Sequence, residues 1–192
     1  MEILKFVVLV AIAYFLGNIS PSILLGKAMG IDIKKEGSGN AGTTNALRVL
    51  GKKAAVITLV IDIGKGVVAV LLGTYIGSIN VGYVCALAVF CGHIWPCFYS
   101  FKGGKGVATA FGALLAVNWL MALCTLLVVA VGLLLSRRMS VGSILGAAAF
   151  PVISHFMEPG FFLIGIAMAI IVIYKHKANI NRLIKGEEPR MF

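Results

Sequence analysis

Three short stretches of this chain gather the residue types that hold phosphate. The first runs Gly37-Ser-Gly-Asn-Ala-Gly-Thr-Thr-Asn-Ala-Leu-Arg48. Gly37, Gly39 and Gly42 let the backbone approach an anion closely and turn its N–H groups inward. Ser38, Asn40, Thr43, Thr44 and Asn45 add neutral donors, and Arg48 offers a planar fork that meets phosphate oxygens in pairs. The spacing from Gly37 to Gly42 fits a Walker A loop, but Thr43 stands where the lysine belongs, so a nucleotide loop is excluded. The second stretch, Lys102-Gly-Gly-Lys-Gly106, leads into an apolar segment. There the amides of Gly103 and Gly104, a helix dipole and the ammonium groups of Lys102 and Lys105 would act together on an anion. In the third, His176, Asn179 and Arg182 recur every three residues and share one face if the segment is helical. Each has a plainer reading beside it: a polar linker, a basic turn, and a basic tail after a last membrane span.

A second set of polar residues lies inside apolar runs, where a charge costs about 2.5–3.5 kcal/mol on insertion scales. Asp62 and Lys65, three apart on one helical face, are read either as partners of each other or as working groups. His93 sits beside Trp95 and Pro96, and Asn18 and Ser20 precede Pro21. These point to a polar cavity beneath the two glycine loops. Ser140 and Ser143 follow Arg137 and Arg138, either as helix caps or as further phosphate donors. His155 reads as a lone interface histidine.

The elements that must position these groups are membrane helices. Of 192 residues 60% are hydrophobic and only 12% charged, which excludes an ordinary soluble domain. Apolar runs at 3–26, 54–77, 81–99, 106–117, 119–135, 141–157 and 160–174 approach the roughly 20 residues that cross a bilayer. The expectation is one all-α polytopic domain over 1–192, a bundle of about seven segments. The run 106–117 is short for a span, and 106–135 is read as two segments turning near Asn118. Lys34, Lys35, Arg48, Lys52, Lys53, Lys102, Lys105, Arg137, Arg138 and the basic tail then share one side, while the opposite connections carry no Lys or Arg. Basic loops stay cytoplasmic, so the N-terminus is placed outside and the C-terminus inside. The net charge of +10 is thereby a topology signal rather than a nucleic-acid footprint. Cys85, Cys91, Cys97 and Cys124 lie in apolar runs without metal-ligand spacing, and the three histidines are scattered, so no metal, cofactor or disulfide framework is expected.

Together, Gly37–Arg48, Val49–Lys53, Asp62–Gly66, Gly92–Pro96, Lys102–Thr109 and His176–Glu188 resemble the bacterial acyl-phosphate:glycerol-3-phosphate acyltransferases, the PlsY family, over essentially the whole chain. Thr43 departs from the alanine expected there. The resemblance implies transfer of a fatty acyl group from acyl phosphate to the 1-hydroxyl of glycerol 3-phosphate, giving lysophosphatidic acid and phosphate at a bacterial inner membrane, on its cytoplasmic side. No partner beyond the substrates and the bilayer is called for. It also implies a glycerol 3-phosphate subsite at Gly103 and Gly104, essential roles for Ser38, Arg48, His176 and Asn179, and a tail-holding role for Glu188. Two phosphates brought together need the charge of Arg48, Lys102, Lys105 and Arg182. The His-x-x-x-x-Asp motif of the commoner glycerolipid acyltransferases is missing: His93, His155 and His176 are followed at that spacing by Phe98, Gly160 and Asn181. Direct transfer is favoured over an acyl-serine at Ser38, which has no base at a recognisable spacing. A transporter of phosphorylated metabolites, using Asp62 and Lys65 as coupling groups, is the competing class; it would normally show internal repeats, and none is evident.

Overall fold

The structure, a computed structural model, describes residues 2–192. It is helical throughout, with no strand among the described residues. The chain forms two compact units, Met1–Val117 and Asn118–Phe192.

In the first unit the opening apolar run breaks in two. Helix α1 (Glu2–Asn18) stops short of Pro21, which cannot continue a hydrogen-bond ladder but suits a helix start, and α2 (Pro21–Ala28) begins there. A loop leads to α3 (Thr43–Val49), and Gly51, in the left-handed region at φ +85°, starts α4 (Lys52–Leu72). A π turn, Gly73–Gly77, ends that helix before α5 (Ile79–Ile94) and the shorter α6 (Val107–Val117). Helix α1 packs on α5 and α4 on α6. Both crossings use bare glycine: a Cβ on Gly92 would overlap the Tyr14 carbonyl, and one on Gly112 the Ile63 carbonyl. Backbones brought this close are how helices associate in lipid, where apolar burial gives no advantage over the acyl chains.

The second unit holds α7 (Trp119–Ser136), α8 (Met139–Met157), α9 (Phe162–Lys175) and α10 (Lys177–Ile184). The expected break falls at Asn118, whose Oδ1 caps α7 by accepting from Met121 N at 3.1 Å. Arg137, at φ +57°, turns the chain from α7 into α8. Past α10, Met191 N donates to the Arg137 carbonyl at 2.7 Å and Arg138 Nε to the Glu188 carbonyl at 3.0 Å, so the tail is fastened to that turn.

Large apolar side chains line the exterior, and a set of polar groups is buried within a mainly apolar core. Val60, Leu127 and Leu135 are exposed on helix flanks, while Asn18, Asp62, Lys65 and His93 are buried. That inversion belongs to a bilayer-embedded protein. Five helical segments are long and apolar enough to cross, and a sixth counts if α9 and α10, bent by 53°, form one span. The fourth run of the sequence reading, 106–117, corresponds to α6, which is 11 residues long and falls short of a span.

Candidate functional site

Asn45 organises the first glycine loop from within. Its Oδ1 accepts from Ser38 N at 2.9 Å, and its Nδ2 donates to the carbonyls of Ile33 at 3.2 Å and Glu36 at 3.0 Å. Both amide hydrogens are thus engaged with the loop's own backbone, which sets Asn45 apart from the donors expected to face phosphate. Gly37 and Gly39 adopt φ of +58° and +67°. Gly37 is required twice over, since a Cβ there would overlap Asn45 Oδ1. Ser38 and Arg48 are exposed, Arg48 on the last turn of α3. The Thr43 hydroxyl is buried without a hydrogen-bond partner, a cost that the alanine expected at this position would not carry.

The second loop is laid against the first. Gly103 N donates to the Ile94 carbonyl at 3.1 Å and Gly104 N to the His93 carbonyl at 3.2 Å. A Cβ on Gly104 would meet the His93 ring and come within 3.0 Å of the Ala41 carbonyl, which places the Gly37–Arg48 and Lys102–Gly106 loops side by side in one unit. Beside them lies a cavity of about 620 Å³ lined by Lys27, Lys34, Lys102, Tyr99 and Asp32 among others. Lys34 Nζ donates to the Tyr99 carbonyl at 3.0 Å. Burial lowers the Lys34 pKa; Asp32 opposes this, and the neighbouring Lys102 and Lys27 add to it. Three cations around one recess make it attractive to phosphorylated molecules. Lys27 and Lys34 entered the sequence reading at most as topology charges, and no local spacing distinguished them from any other basic loop residue.

Behind the loops, Asp62 and Lys65 pair at 2.7 Å, as their spacing allows, and His93 Nδ1 lies 3.3 Å from the same carboxylate oxygen. Lys65 Nζ also donates to the carbonyls of Gly17 at 3.1 Å and Ile19 at 2.6 Å, left without helical partners where α1 ends. The Gly17-Asn18…Pro21 interruption was the available signal for those acceptors. Asn18 turns back on the bundle, donating to the Tyr14 carbonyl at 2.8 Å and accepting from Cys97 Sγ at 3.2 Å.

In the second unit the tail carboxylate of Glu188 gathers three residues assigned above to phosphate. Ser140 Oγ and Asn179 Nδ2 donate to Glu188 Oε1, and Arg182 Nε donates to Oε2, each at 2.7 Å. Ser143 donates to the Met139 carbonyl of its own helix at 3.0 Å. His176 is 2% exposed, with Nδ1 at 2.8 Å from the Val172 carbonyl. His155 stands edge-on to the rings of Phe156 and Phe162.

Burial penalises the Glu188 carboxylate, yet the hydrogen bonds from Asn179, Ser140 and Arg182, with the Arg182 charge, more than offset it and hold its pKa below the ordinary glutamate value. A depressed folded-state pKa contributes stability above the unfolded-state value that disappears as pH falls through the folded-state one. Acidification through the range below the ordinary glutamate pKa is therefore expected to release the tail. At neutral pH, Glu188→Ala should remove the acceptor of three hydrogen bonds and cost about 2–3 kcal/mol. Limited proteolysis after Lys185 and Arg190, followed by mass spectrometry, measures both effects.

The chain matches the glycerol-3-phosphate acyltransferase family over residues 7–186. It is 39% identical over 199 residues to a glycerol-3-phosphate acyltransferase of Clostridioides difficile, covering 100% of this chain and 98% of that one. It is 44% identical over 184 residues to that of Trichlorobacter lovleyi, covering 94% and 95%. Among solved structures it resembles PlsY, an integral membrane glycerol 3-phosphate acyltransferase, in its glycerol 3-phosphate form, with TM-score 0.93 and 36% identity over 97% of this chain and 96% of that one. The lysophosphatidic acid form of the same protein gives TM-score 0.90 and 36% identity over 97% and 95%.

Proposed function

Because this chain belongs to the glycerol-3-phosphate acyltransferase family, we propose that it transfers a fatty acyl group from an acyl phosphate to the 1-hydroxyl of glycerol 3-phosphate. The observation that carries the reading is the contact between the two glycine loops, Gly104 against Ala41, beside a recess lined by Lys27, Lys34 and Lys102. A reaction whose donor and acceptor both bear phosphate needs two anion-binding segments close together and positive charge to offset their repulsion.

The hydroxyl oxygen attacks the acyl carbonyl carbon, the bond from that carbon to the phosphate oxygen breaks, and the hydroxyl proton passes to the departing phosphate. Lysophosphatidic acid and inorganic phosphate result. Phosphate leaves readily, so the protein's share is orientation and charge stabilisation. Arg48 and Lys105 are assigned to the donor phosphate, with the Ser38 hydroxyl and the backbone of Gly37 and Asn40 beside them; the Gly39 and Gly42 amides donate to the Glu36 and Asn40 carbonyls and hold the loop's shape. Lys102 is assigned to the phosphate of glycerol 3-phosphate, and Gly103 and Gly104, whose amides donate to the Ile94 and His93 carbonyls rather than to an anion as the sequence suggested, are assigned to giving that substrate room to approach. Asn45 is assigned to shaping the first loop. Within the second unit, His176 and Asn179 are assigned essential roles by likeness to the family, while Ser140 and Arg182 hold the tail through Glu188. No hydrogen bond reaches the Ser38 hydroxyl among the described residues, which supports direct transfer rather than an acyl-serine. Residues 1–192 act as one acyltransferase of seven membrane segments, α6 included. The N-terminus is outside and the glycine loops are on the cytoplasmic face of a bacterial inner membrane, where water-soluble glycerol 3-phosphate is at hand. The transporter reading has no observation in its favour.

The test supplies the purified protein with labelled glycerol 3-phosphate and either palmitoyl phosphate or palmitoyl-CoA, without added metal. Lysophosphatidic acid and phosphate are expected from palmitoyl phosphate alone. Product from the CoA ester would reassign the donor, and product from neither would remove the reading.

A further inference from the structure

The Asp62, Lys65 and His93 side chains are 1%, 5% and 6% exposed respectively as residues, and the mechanism above uses none of them. Burying an ion pair rarely gains stability over a well-packed apolar set, because two desolvation penalties stand against one attraction. A cluster kept under those terms is better explained by what it holds in place. Lys65 Nζ reaches the two carbonyls at the end of α1, Asp62 on α4, and His93 Nδ1 on α5 at 2.9 Å. Three helices thereby converge on one ammonium group, and the His93 ring is held on its Nδ1 side. Its Nε2 and Cε1 edge occupies the volume where a side chain at residue 104 would stand. The main chain of the same residue is used as well, since the His93 carbonyl accepts from Gly104 N at 3.2 Å.

We propose that the buried Asp62–Lys65–His93 cluster is a positioning device for the second glycine loop: it fixes the His93 ring as the wall against which Gly104 is laid, and so sets the geometry of the glycerol 3-phosphate subsite. This rests on the reading of Gly103 and Gly104 as that subsite. The requirement for glycine differs at the two positions. At residue 103 an added Cβ would overlap the His93 carbonyl and stand 2.7 Å from Pro96 Cδ, groups that no change of the His93 side chain removes. At residue 104 the principal obstruction is the His93 ring itself, with the Ala41 carbonyl at 3.0 Å behind it. Neither glycine has a positive φ, so the obstruction is steric rather than conformational. Shortening His93 should accordingly relieve an alanine at 104 and do nothing for one at 103.

The experiment measures KM for glycerol 3-phosphate and kcat, at saturating acyl phosphate, for Gly103→Ala, Gly104→Ala, His93→Ala and the two double variants. Each protein is first checked for a monodisperse peak and a cooperative melt in detergent. His93→Asn, which keeps a polar group beside Asp62, replaces the alanine if that variant fails the check. Gly104→Ala is expected to raise KM by roughly 30-fold or more, and His93→Ala by about fivefold with kcat within about threefold of wild type. The Gly104→Ala/His93→Ala protein should recover about fivefold in KM relative to Gly104→Ala alone, to the level of His93→Ala, a coupling that a merely additive loss of stability would not produce. Gly103→Ala should gain nothing from the same second change. Independent, additive losses at 104 and 93 in folded proteins would overturn the positioning role while leaving the subsite reading intact. Unchanged KM in both single glycine variants would instead overturn the subsite reading, and the proposal with it.

Discussion

Asn45→Ala is expected to lower kcat/KM by about 10²–10³ although it removes no charge and no group that faces phosphate. Asn45 is 1% exposed and its amide closes the first loop on itself, between Ser38 N and the carbonyls of Ile33 and Glu36. Each lost bond is worth about 1 kcal/mol net, and more where the partner stays buried and unsatisfied, so about 3–4 kcal/mol of loop order is at stake. Gly37 and Gly39 add to the effect, because glycine has the most conformational freedom to regain once a loop is released. Asn45→Asp should fare no better: its oxygen can still accept from Ser38 N, but it has no N–H for the two carbonyls and brings a negative charge beside the proposed phosphate site. Hydrogen exchange at residues 36–42 separates this from direct phosphate binding. Loop shaping predicts lost protection at the Ser38 and Gly39 amides and a kcat that saturating substrates do not restore. A direct donor predicts a raised KM with protection intact.

The two glycine loops were legible in the sequence as candidate anion sites because that chemistry is compositional: glycines for approach, hydroxyls and cations for contact, all within a few consecutive residues. The internal role of Asn45 was not, since it depends on the path of a loop that brings Ile33 and Ser38 to opposite sides of one amide. The same division runs through the buried polar groups. Asp62 and Lys65 are three apart on one helix and their pairing follows from helical periodicity. His93 joins them across 28 residues of sequence, from a helix whose register no spacing rule supplies. Likewise Asn179 and Arg182 share a helical face as expected, but their common partner Glu188 lies beyond the turn at Gly186, and Ser140 reaches it across 48 residues. Hydropathy located the membrane segments and missed the interruption at Asn18, because Ile19 to Pro21 is too short to dent an apolar run. That interruption is what supplies Lys65 with its two carbonyl acceptors.

His176→Ala should reduce kcat/KM by about 10²–10³, whereas His176→Gln should return to within about tenfold of wild type. A carbonyl oxygen only accepts, so the 2.8 Å contact with Val172 places a proton on Nδ1. A catalytic base that must carry a full positive charge is ordinarily backed by a carboxylate on its far nitrogen. Here that position is filled by a backbone carbonyl, which orients the ring but does little to stabilise an imidazolium. The departing phosphate is itself a competent proton acceptor, so the reaction need not route the proton through the protein. On the positioning role proposed for His176, the ring orients a substrate group, a task that the glutamine amide can take over in part because it also presents a polar group at the end of a side chain of similar reach. The two variants, assayed across pH, distinguish the roles. Positioning predicts that the glutamine enzyme keeps most of its turnover and loses any acidic limb that histidine titration imposes on wild type. General-base catalysis predicts that glutamine and alanine fall to the same floor, about 10²–10⁴ below wild type, with no pH in the range restoring either.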